Sequence, residues 1–311
     1  MTNETMGDNA TTRPELTTTR NEAFDELWKS GLIVLILLGV LNCLVGLGTG
    51  PALGDHESIN ALGARQSIRS GNWLIPHVGE VPWIRKMPLG IWLIGGASHL
   101  VDGANAAPPV SEYAARFPSA VAGLLNALVV CWLGSMMFGK RAGLVAGFIS
   151  AGCAATVFGA RNAQVDIILT LMTTLTFACF WRGAMHEKPS KLFMVAYYVA
   201  LSGAMLAKAP LPLAIIGMSL AIYWLAVLPM LARVNKPEPG SCPPAGGLAW
   251  AVVHQFKRLP VLWIIPGTLL FLVLAGAWPF YVYMHVGHAL PLWRIEYLDR
   301  FSGDMAEKSQ P

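Results

Sequence analysis

Hydrophobic residues in this chain are gathered into long runs that short polar connections separate. A helix needs roughly 20 apolar residues to cross the hydrocarbon core of a bilayer. Seven stretches come close to that length: 31–53, 116–138, 142–160, 165–181, 192–208, 211–231 and 260–284. We therefore predict an all-α integral membrane protein, built as a polytopic bundle of about seven spanning helices.

An eighth apolar run, Leu89–Val101, is a weaker candidate for a span. It has 13 residues and lies between the charged side chains of Lys86 and Asp102. That length suits a helix that lies in the membrane surface or enters the bilayer only part of the way. We predict an interfacial helix here.

The basic residues predict which side of the membrane each connection faces. If the run 89–101 does not cross, the connections 140–141, 182–191 and 233–258 all lie on the side of the N-terminal tail. Short basic connections normally stay in the cytoplasm. A crossing by 89–101 would move the connection 140–141 outside, away from the other basic loops, so seven spans fit better than eight.

This orientation divides the chain into three parts. Residues 1–30 form a polar cytoplasmic tail, whose composition predicts disorder. Residues 31–286 form a transmembrane module with a long outer loop over 54–114, and residues 287–311 form an outer interfacial tail. We expect an integral protein of the cell inner membrane or plasma membrane, with any active site on the extracytoplasmic face.

Composition narrows the class of protein further. The chain is 54% hydrophobic and 13% charged, whereas a soluble globular domain carries about 25% charged residues. The formal net charge of +4 is small and dispersed, so nucleic acid is not an expected partner. The five cysteines are scattered, without the paired spacing of a metal site or a disulfide framework.

Acidic residues collect at the outer ends of predicted spans. Asp55, His56 and Glu57 follow the first span, and Asp166 opens a later one. Carboxylates at the mouth of a bilayer helix are costly unless something uses them. Each Asp could instead be an ordinary helix cap, and His56 is a weaker candidate, for a metal. Asp55, Glu57 and Asp166 are therefore candidate catalytic residues.

Cations on the same side are candidates for binding an anion. Arg85 and Lys86 precede the interfacial helix, and Lys208 ends an apolar run just before Pro210. An anionic-lipid anchor explains Arg85 and Lys86 nearly as well, and Lys208 could simply extend to the interface. Transfer of a group from a lipid phosphate would use the whole set. Cations compensate the charge of the phosphate leaving group, and a carboxylate base takes the proton of the incoming hydroxyl.

The segment from Gly54 to Pro88 carries a series of short motifs: His56-Glu57, Ala61, Ala64-Arg65, Ser70-Gly71-Asn72-Trp73, Pro76 and Arg85-Lys86-Met87-Pro88-Leu89. This series resembles the first outer loop of family 39 glycosyltransferases, which include protein O-mannosyltransferases and lipid A aminoarabinose transferases. That loop typically runs Asp-Glu, an Ala/Arg-bearing helix, Ser-Gly-Asp-Trp, a Pro, and Glu-Lys-Pro-Pro-Leu. Similar motifs follow at Ala115-Arg116-Phe117-Pro118-Ser119-Ala120, Asp166, Ala207-Lys208-Ala209-Pro210 and Glu296-Tyr297-Leu298-Asp299-Arg300-Phe301. The resemblance covers roughly residues 31–308.

The resemblance implies a GT-C-type fold and an inverting glycosyltransferase. It implies that a sugar passes from a polyprenyl-phosphate donor to a hydroxyl on a lipid, glycan or protein acceptor. Asp55 would be the base that activates the acceptor, with Glu57 and Asp166 positioning it. The donor phosphate would be bound by cations: Lys86, Lys208, Arg65 and Arg85.

The chain departs from the family pattern at three places. The family Asp is His56 here, with Asp55 one position earlier, so the base stays open between Asp55 and Glu57. Arg85 replaces a Glu, which removes a possible metal ligand; we expect no metal or other cofactor, although a divalent metal stays open. Family members continue into further spans. We therefore expect this chain to be the N-terminal part of a longer enzyme, or the remaining spans to lie on another polypeptide.

Two other functions stay open from the residues. A non-enzymatic carrier or flippase for lipid-phosphate sugars needs the cations but has no need for Asp55 or Asp166. A structural membrane subunit, or an inactive fragment, needs neither the cations nor the carboxylates. Activity of an Asp55→Asn variant separates the enzyme from the carrier.

Overall fold

The computed structural model describes residues 13–103, 105–185, 190–227 and 264–296. In chain order its helices are α1 (Arg13–Cys43), α2 (Asp55–Ser70), α3 (Leu89–Val101), α4 (Glu112–Phe138), α5 (Lys140–Gly152), α6 (Ala154–Ala160), α7 (Asp166–Phe180), α8 (Lys191–Lys208), α9 (Leu211–Ile222), α10 (Ile264–His285) and α11 (Ala289–Arg294). One π-helical turn extends α7 (Trp181–Met185) and another extends α9 (Tyr223–Val227). A two-residue hairpin pairs β1 (His77–Val78) with β2 (Val81–Pro82).

The structure has helices of membrane-spanning length where the apolar runs predicted spans. Five helices in the described ranges are long and apolar enough to cross a bilayer: Glu26–Cys43, Glu112–Phe138, Asp166–Met185, Lys191–Lys208 and Ile265–His285. The consecutive helices α5 and α6 pass the same test together but bend by 58°, and they cover the predicted stretch 142–160. The predicted stretch 211–231 is described only to Val227, as a shorter apolar helix. The chain is an all-helical membrane protein, and the count of seven spans stays a prediction.

The first helix begins well before the membrane. Helix α1 starts at Arg13, inside the tail 1–30 whose composition predicts disorder, and residues 1–12 lie outside the described residues. Between Glu15 and Ser30 the chain has neither Gly nor Pro. Once the apolar span has nucleated a helix, each further residue adds one hydrogen bond at little cost. Pro14 is compatible with this start because it stands in the first turn.

Helix α4 lies at the centre of the bundle and contacts α1, α5, α6 and α7. Glycines allow this close approach. A Cβ on Gly123 would lie 2.6 Å from the Cβ of Ala160, and one on Gly143 would lie 2.4 Å from the carbonyl oxygen of Cys131. Small residues at such interfaces let helices pack by van der Waals contact where lipid gives no hydrophobic drive.

The outer loop is itself folded. Helices α2 and α3 pack together and against the start of α4 around a cluster of buried residues: Ala61, Ala64, Ile91, Ile94, Val110, Ala115 and Ala163. Helix α3 has the bounds predicted for an interfacial helix. Because this cluster ties the loop to the first turn of α4, the loop is a fixed part of the protein body.

Three tryptophan side chains hold the segment between α2 and α3. Each indole N–H donates to a backbone carbonyl of this segment: Trp92 to Trp73 (2.7 Å), Trp278 to Leu74 (2.8 Å) and Trp293 to Ile84 (2.8 Å). Two of the three donors come from α10 and α11, 204 and 209 residues along the chain from their acceptors. The segment that carries Arg85 and Lys86 is therefore fixed by distant parts of the fold.

The connection from α3 to α4 is fixed by Asp102. Its carboxylate accepts hydrogen bonds from the Ser98 hydroxyl (2.9 Å) and from the Ser111 amide (2.9 Å) and hydroxyl. Burial opposes ionisation of Asp102, but these hydrogen bonds outweigh it and lower its pKa below the ordinary value.

Val110, in the same connection, has a φ of +65°, a conformation that a β-branched residue rarely adopts.

Candidate active site

Glu57 lies in the first turn of α2 and is 5% exposed. Its Oε1 lies 3.0 Å from Nε of Arg116, and its Oε2 lies 3.3 Å from Nη2 of the same guanidinium. The backbone amides of Ala163 (2.7 Å) and Gly54 (2.9 Å) donate to the same carboxylate. Burial raises the pKa of Glu57, but these donors outweigh it, so the pKa is held below its ordinary value.

The Glu57 carboxylate therefore has a structural role in this conformation. It joins three elements, namely α2, α4 and the turn before α7, through four hydrogen bonds. Arg116 is buried as well and also donates to the Pro51 carbonyl (2.8 Å). The sequence placed Arg116 in a motif that opens a span but did not identify it as the partner of Glu57.

Asp55 differs from Glu57 although it lies only two residues earlier. It is the first residue of α2, and the N-cap position is Gly54, so the alternative of a helix cap does not apply to Asp55. Its side chain is exposed, and within the described residues it makes no hydrogen bond or ion pair. Asp55 is thus an exposed carboxylate whose oxygen atoms are accessible.

Asp166 and Lys208 form a second ion pair, at the ends of helices α7 and α8. Nζ of Lys208 lies 2.6 Å from Oδ1 of Asp166, and both side chains are about half exposed. Asp166 is the first residue of α7 and Lys208 is the last of α8, so two apolar helices end in opposite charges. The N-cap of α7 is Val165, so Asp166 does not cap its helix either.

The segment carrying Arg85 and Lys86 approaches this same end. Met87 packs in one cluster with Leu206, and Leu89 packs in another with Ala207, the residue before Lys208. Both Arg85 and Lys86 are exposed. Within the described ranges Lys86 forms no ion pair or hydrogen bond. Its ammonium is therefore available to an anion.

The turn before α7 connects the site of Glu57 to that of Asp166. The Ala163 amide donates a hydrogen bond to the Glu57 carboxylate (2.7 Å), and the Ala163 carbonyl accepts one from the Asn60 side chain (3.1 Å). Val165, in the same turn, faces Gly90 so closely that a Cβ on that glycine would lie 2.4 Å from Cγ1 of Val165. The starts of α2, α3 and α7 therefore meet around one region, which carries Asp55, Asp166 and Lys208.

Arg65 is not part of this region. It lies ten residues after Asp55 on α2, about 15 Å along the helix axis. Its Nε donates to the Pro109 carbonyl (2.8 Å) and its Nη2 to the Val110 carbonyl (3.0 Å). The structure thus uses Arg65 to hold the connection before α4. In the described ranges no three side chains of His, Cys, Asp or Glu lie close enough together to hold a metal ion.

Two solved structures share this fold. The structure of ArnT from Cupriavidus metallidurans bound to undecaprenyl phosphate superposes with a TM-score of 0.66 at 20% identity, covering 86% of this chain and 43% of that one. The oligosaccharyltransferase AglB from Archaeoglobus fulgidus, in complex with an inhibitory peptide and a dolichol phosphate, gives 0.51 at 15% identity, covering 91% and 35%. The predicted GT-C-type membrane fold is confirmed.

Sequence comparison gives matches of higher identity. Residues 78–283 match the family model described as dolichyl-phosphate-mannose-protein mannosyltransferase. An undecaprenyl phosphate-alpha-4-amino-4-deoxy-L-arabinose arabinosyl transferase of Proteus mirabilis is 28% identical over 291 residues, covering 91% of this chain and 46% of that protein. The corresponding Edwardsiella ictaluri protein is 26% identical over 292 residues. The chain spans about half the length of the curated relatives that it matches, and it belongs to the dolichyl-phosphate-mannose-protein mannosyltransferase family.

Proposed function

We propose that this chain carries the catalytic part of an inverting glycosyltransferase, which moves a sugar from a polyprenyl-phosphate donor to an acceptor hydroxyl on the outer face of the membrane. The observation that carries the proposal is the unpaired, exposed carboxylate of Asp55 in the region where Asp166 and Lys208 meet. Family membership and the named activities of the relatives support the same reaction class.

The reaction needs a base at the acceptor. The acceptor oxygen attacks the anomeric carbon from the face opposite the phosphate, and its proton passes to the Asp55 carboxylate. The bond from the anomeric carbon to the phosphate oxygen breaks, and the lipid monophosphate leaves with the electron pair. Asp55 suits this role better than Glu57, since four hydrogen bonds already occupy the Glu57 carboxylate. Glu57 would act by fixing the start of α2.

The leaving phosphate needs positive charge. Lys86 would supply it directly, because its ammonium has no partner among the described residues. Lys208 would contribute as well, since an ammonium has three donors and can keep Asp166 while binding a phosphate oxygen. Arg85 is exposed beside Lys86 and would add to the same field. Arg65 would act at a distance, by holding the outer loop in place.

The test is transfer of sugar by the chain in lipid nanodiscs, supplied with polyprenyl-phosphate sugars and with lipid, glycan and peptide acceptors. Asp55→Asn should lower turnover by roughly 10²–10⁴-fold, the usual contribution of a general base, and leave binding of undecaprenyl phosphate unchanged. Glu80→Gln, at an exposed acid of the same outer loop, is the matched control and should retain activity.

Other outcomes would redirect the proposal. If Asp55→Asn stays active while a folded Glu57→Gln protein is inactive, the base is Glu57. A chain that binds undecaprenyl phosphate and transfers no sugar to any acceptor, with or without Asp55, would instead be a carrier of lipid-linked sugars.

A further inference from the structure

The backbone just before Lys86 is held by a residue from the far end of the described chain. Nε1 of Trp293, in α11, donates a hydrogen bond of 2.8 Å to the carbonyl oxygen of Ile84. The side chain of Ile84 is fully buried. Only Arg85 separates this carbonyl from Lys86.

The segment is also held immediately after Lys86. Met87 packs into the cluster that contains Ile84, Trp278 and Trp293, and the side chain of Pro88 is fully buried. Arg85 and Lys86 are therefore two exposed residues between buried anchors. The indole rings of Trp278 and Trp293 support each other, with their centroids 6.3 Å apart.

A lysine can bind a phosphate productively only if its Cα is well placed. The side chain has a flexible four-carbon stem and a point-like charge, so it brings little geometric preference of its own. The backbone must supply the missing precision, and the Ile84 carbonyl is the group in this segment that Trp293 fixes. Supporting contacts of this kind determine whether a binding group lies in the productive position.

We infer that Trp293 is a positioning residue for Lys86: its indole N–H fixes the Ile84 carbonyl so that the Lys86 ammonium faces the donor phosphate. The inference rests on the proposed function, because it takes Lys86 as a ligand of that phosphate. It adds a residue from α11 to a site that the sequence placed in the outer loop and at the ends of α7 and α8.

The experiment uses the whole 311-residue chain in nanodiscs, with radiolabelled undecaprenyl phosphate as the probe. Trp293→Phe keeps an aromatic ring and removes the N–H. It should weaken binding about fivefold, the effect of losing one ordinary hydrogen bond. The control is Trp278→Phe, which removes the same kind of bond to Leu74, twelve residues before Lys86. It should stay within about twofold of the unmodified chain, since Phe keeps a ring beside Trp293 and the lost bond fixes the Leu74 carbonyl and not that of Ile84.

A double-mutant cycle separates positioning from general loosening. In a Lys86→Ala chain, Trp293→Phe should have no further effect on binding, because its influence acts through the lysine. An equal loss with and without Lys86 would overturn the inference. Thermal melting of each variant confirms that the compared proteins are folded.

A second readout does not depend on the donor. In a chain whose five native cysteines are replaced, Lys86→Cys is labelled by an impermeant thiol reagent. Trp293→Phe should change the labelling rate several-fold, and Trp278→Phe should not. An unchanged rate with Trp293→Phe would overturn the inference. If the rate changes but Lys86→Ala leaves binding of undecaprenyl phosphate intact, Trp293 does position residue 86 and the proposed donor site is wrong.

Discussion

Glu57 and Arg116 form a buried ion pair with Nε 3.0 Å from Oε1, although 59 residues separate them. Both side chains are almost completely shielded from solvent. The pair joins the first turn of α2 to the first turns of α4, and the Ala163 amide adds the turn before α7 to the same carboxylate. The position of Asp55, two residues from Glu57, therefore depends on a contact with the transmembrane bundle.

Glu57→Gln should destabilise the protein strongly. Removing one partner of a buried ion pair leaves the other charge uncompensated, which typically costs about 3–5 kcal/mol. The matched control is Glu112→Gln, which removes a carboxylate 4.0 Å from the same guanidinium but 43% exposed. Its effect should stay below about 1 kcal/mol, as for exposed pairs. Thermal unfolding in detergent measures both, and equal losses would contradict a special role for the buried pair.

Stability should fall in acid because of two carboxylates. The pKa of Glu57 and that of Asp102 are both lowered in the folded protein, since hydrogen bonds from their neighbours outweigh the effect of burial. A lowered pKa contributes stability that is complete above the unfolded pKa of about 4. That stability is lost as the pH falls through the folded values. Melting temperatures from pH 7 down to pH 3 should show this decline, and it should be shallower in Asp102→Asn.

Lys86→Ala should weaken donor binding more than Lys208→Ala. Lys208 is already paired with Asp166, so part of its charge is compensated before any phosphate arrives. Loss of a charge-assisted contact costs about 1.5–3 kcal/mol, or roughly ten- to a hundredfold in affinity. Titration with undecaprenyl phosphate should place Lys86→Ala in that range, with Lys208→Ala closer to the unmodified chain. The reverse order would move the donor phosphate toward Lys208.

Arg65→Gln should lower stability and leave donor affinity unchanged. Two carbonyls, of Pro109 and Val110, would each lose a charged donor, at a cost of about 1–3 kcal/mol apiece. The experiment compares melting temperature with binding of undecaprenyl phosphate at a temperature where the variant is folded. A folded Arg65→Gln protein that no longer binds the lipid would return Arg65 to the donor site.

The orientation of the bundle can be tested with single cysteines in a cysteine-free chain. Glu80 and Asn105 are exposed in the outer loop, whereas Lys191 is exposed at the opposite end of α8 from Lys208. Glu80→Cys and Asn105→Cys should react with an impermeant reagent applied to intact cells, and Lys191→Cys should react only after permeabilisation. Ser98 is a poor position for a label because it is buried and bonded to Asp102. Labelling of Lys191→Cys from outside would reverse the topology.

The sequence predicted the features that depend on local pattern. Run length located the spans and the short helix α3, and the charges at helix ends located Asp55, Asp166 and Lys208. Pairings between distant residues could not be predicted this way. Nothing in one sequence links Glu57 to Arg116, or Ile84 to Trp293, 209 residues away. The same limit explains Arg65, whose motif suggested a phosphate ligand and whose guanidinium holds backbone carbonyls.

The early start of α1 could not be predicted from the polarity of the residues before the first span. Residues 13–30 are polar, and polarity alone suggested disorder, yet the helix of the first span continues through them. Residues 228–263 and 297–311, which include the basic connection 233–258 and most of the last family motif, lie outside the described residues. What the sequence predicts for those two segments remains a prediction.

Helix α2 also sets the directions in which the side chains of Asp55 and Glu57 point. Successive side chains leave an α-helix about 100° apart, so Asp55 and Glu57 point in directions about 200° apart. Because Glu57 is anchored to Arg116 of α4, Asp55 lies on the side of α2 away from that guanidinium, where its carboxylate is exposed. An acid at position 56 instead would be turned by about 100° from this direction. Moving the acid by one residue would therefore change the side from which an acceptor approaches, with no change in the fold.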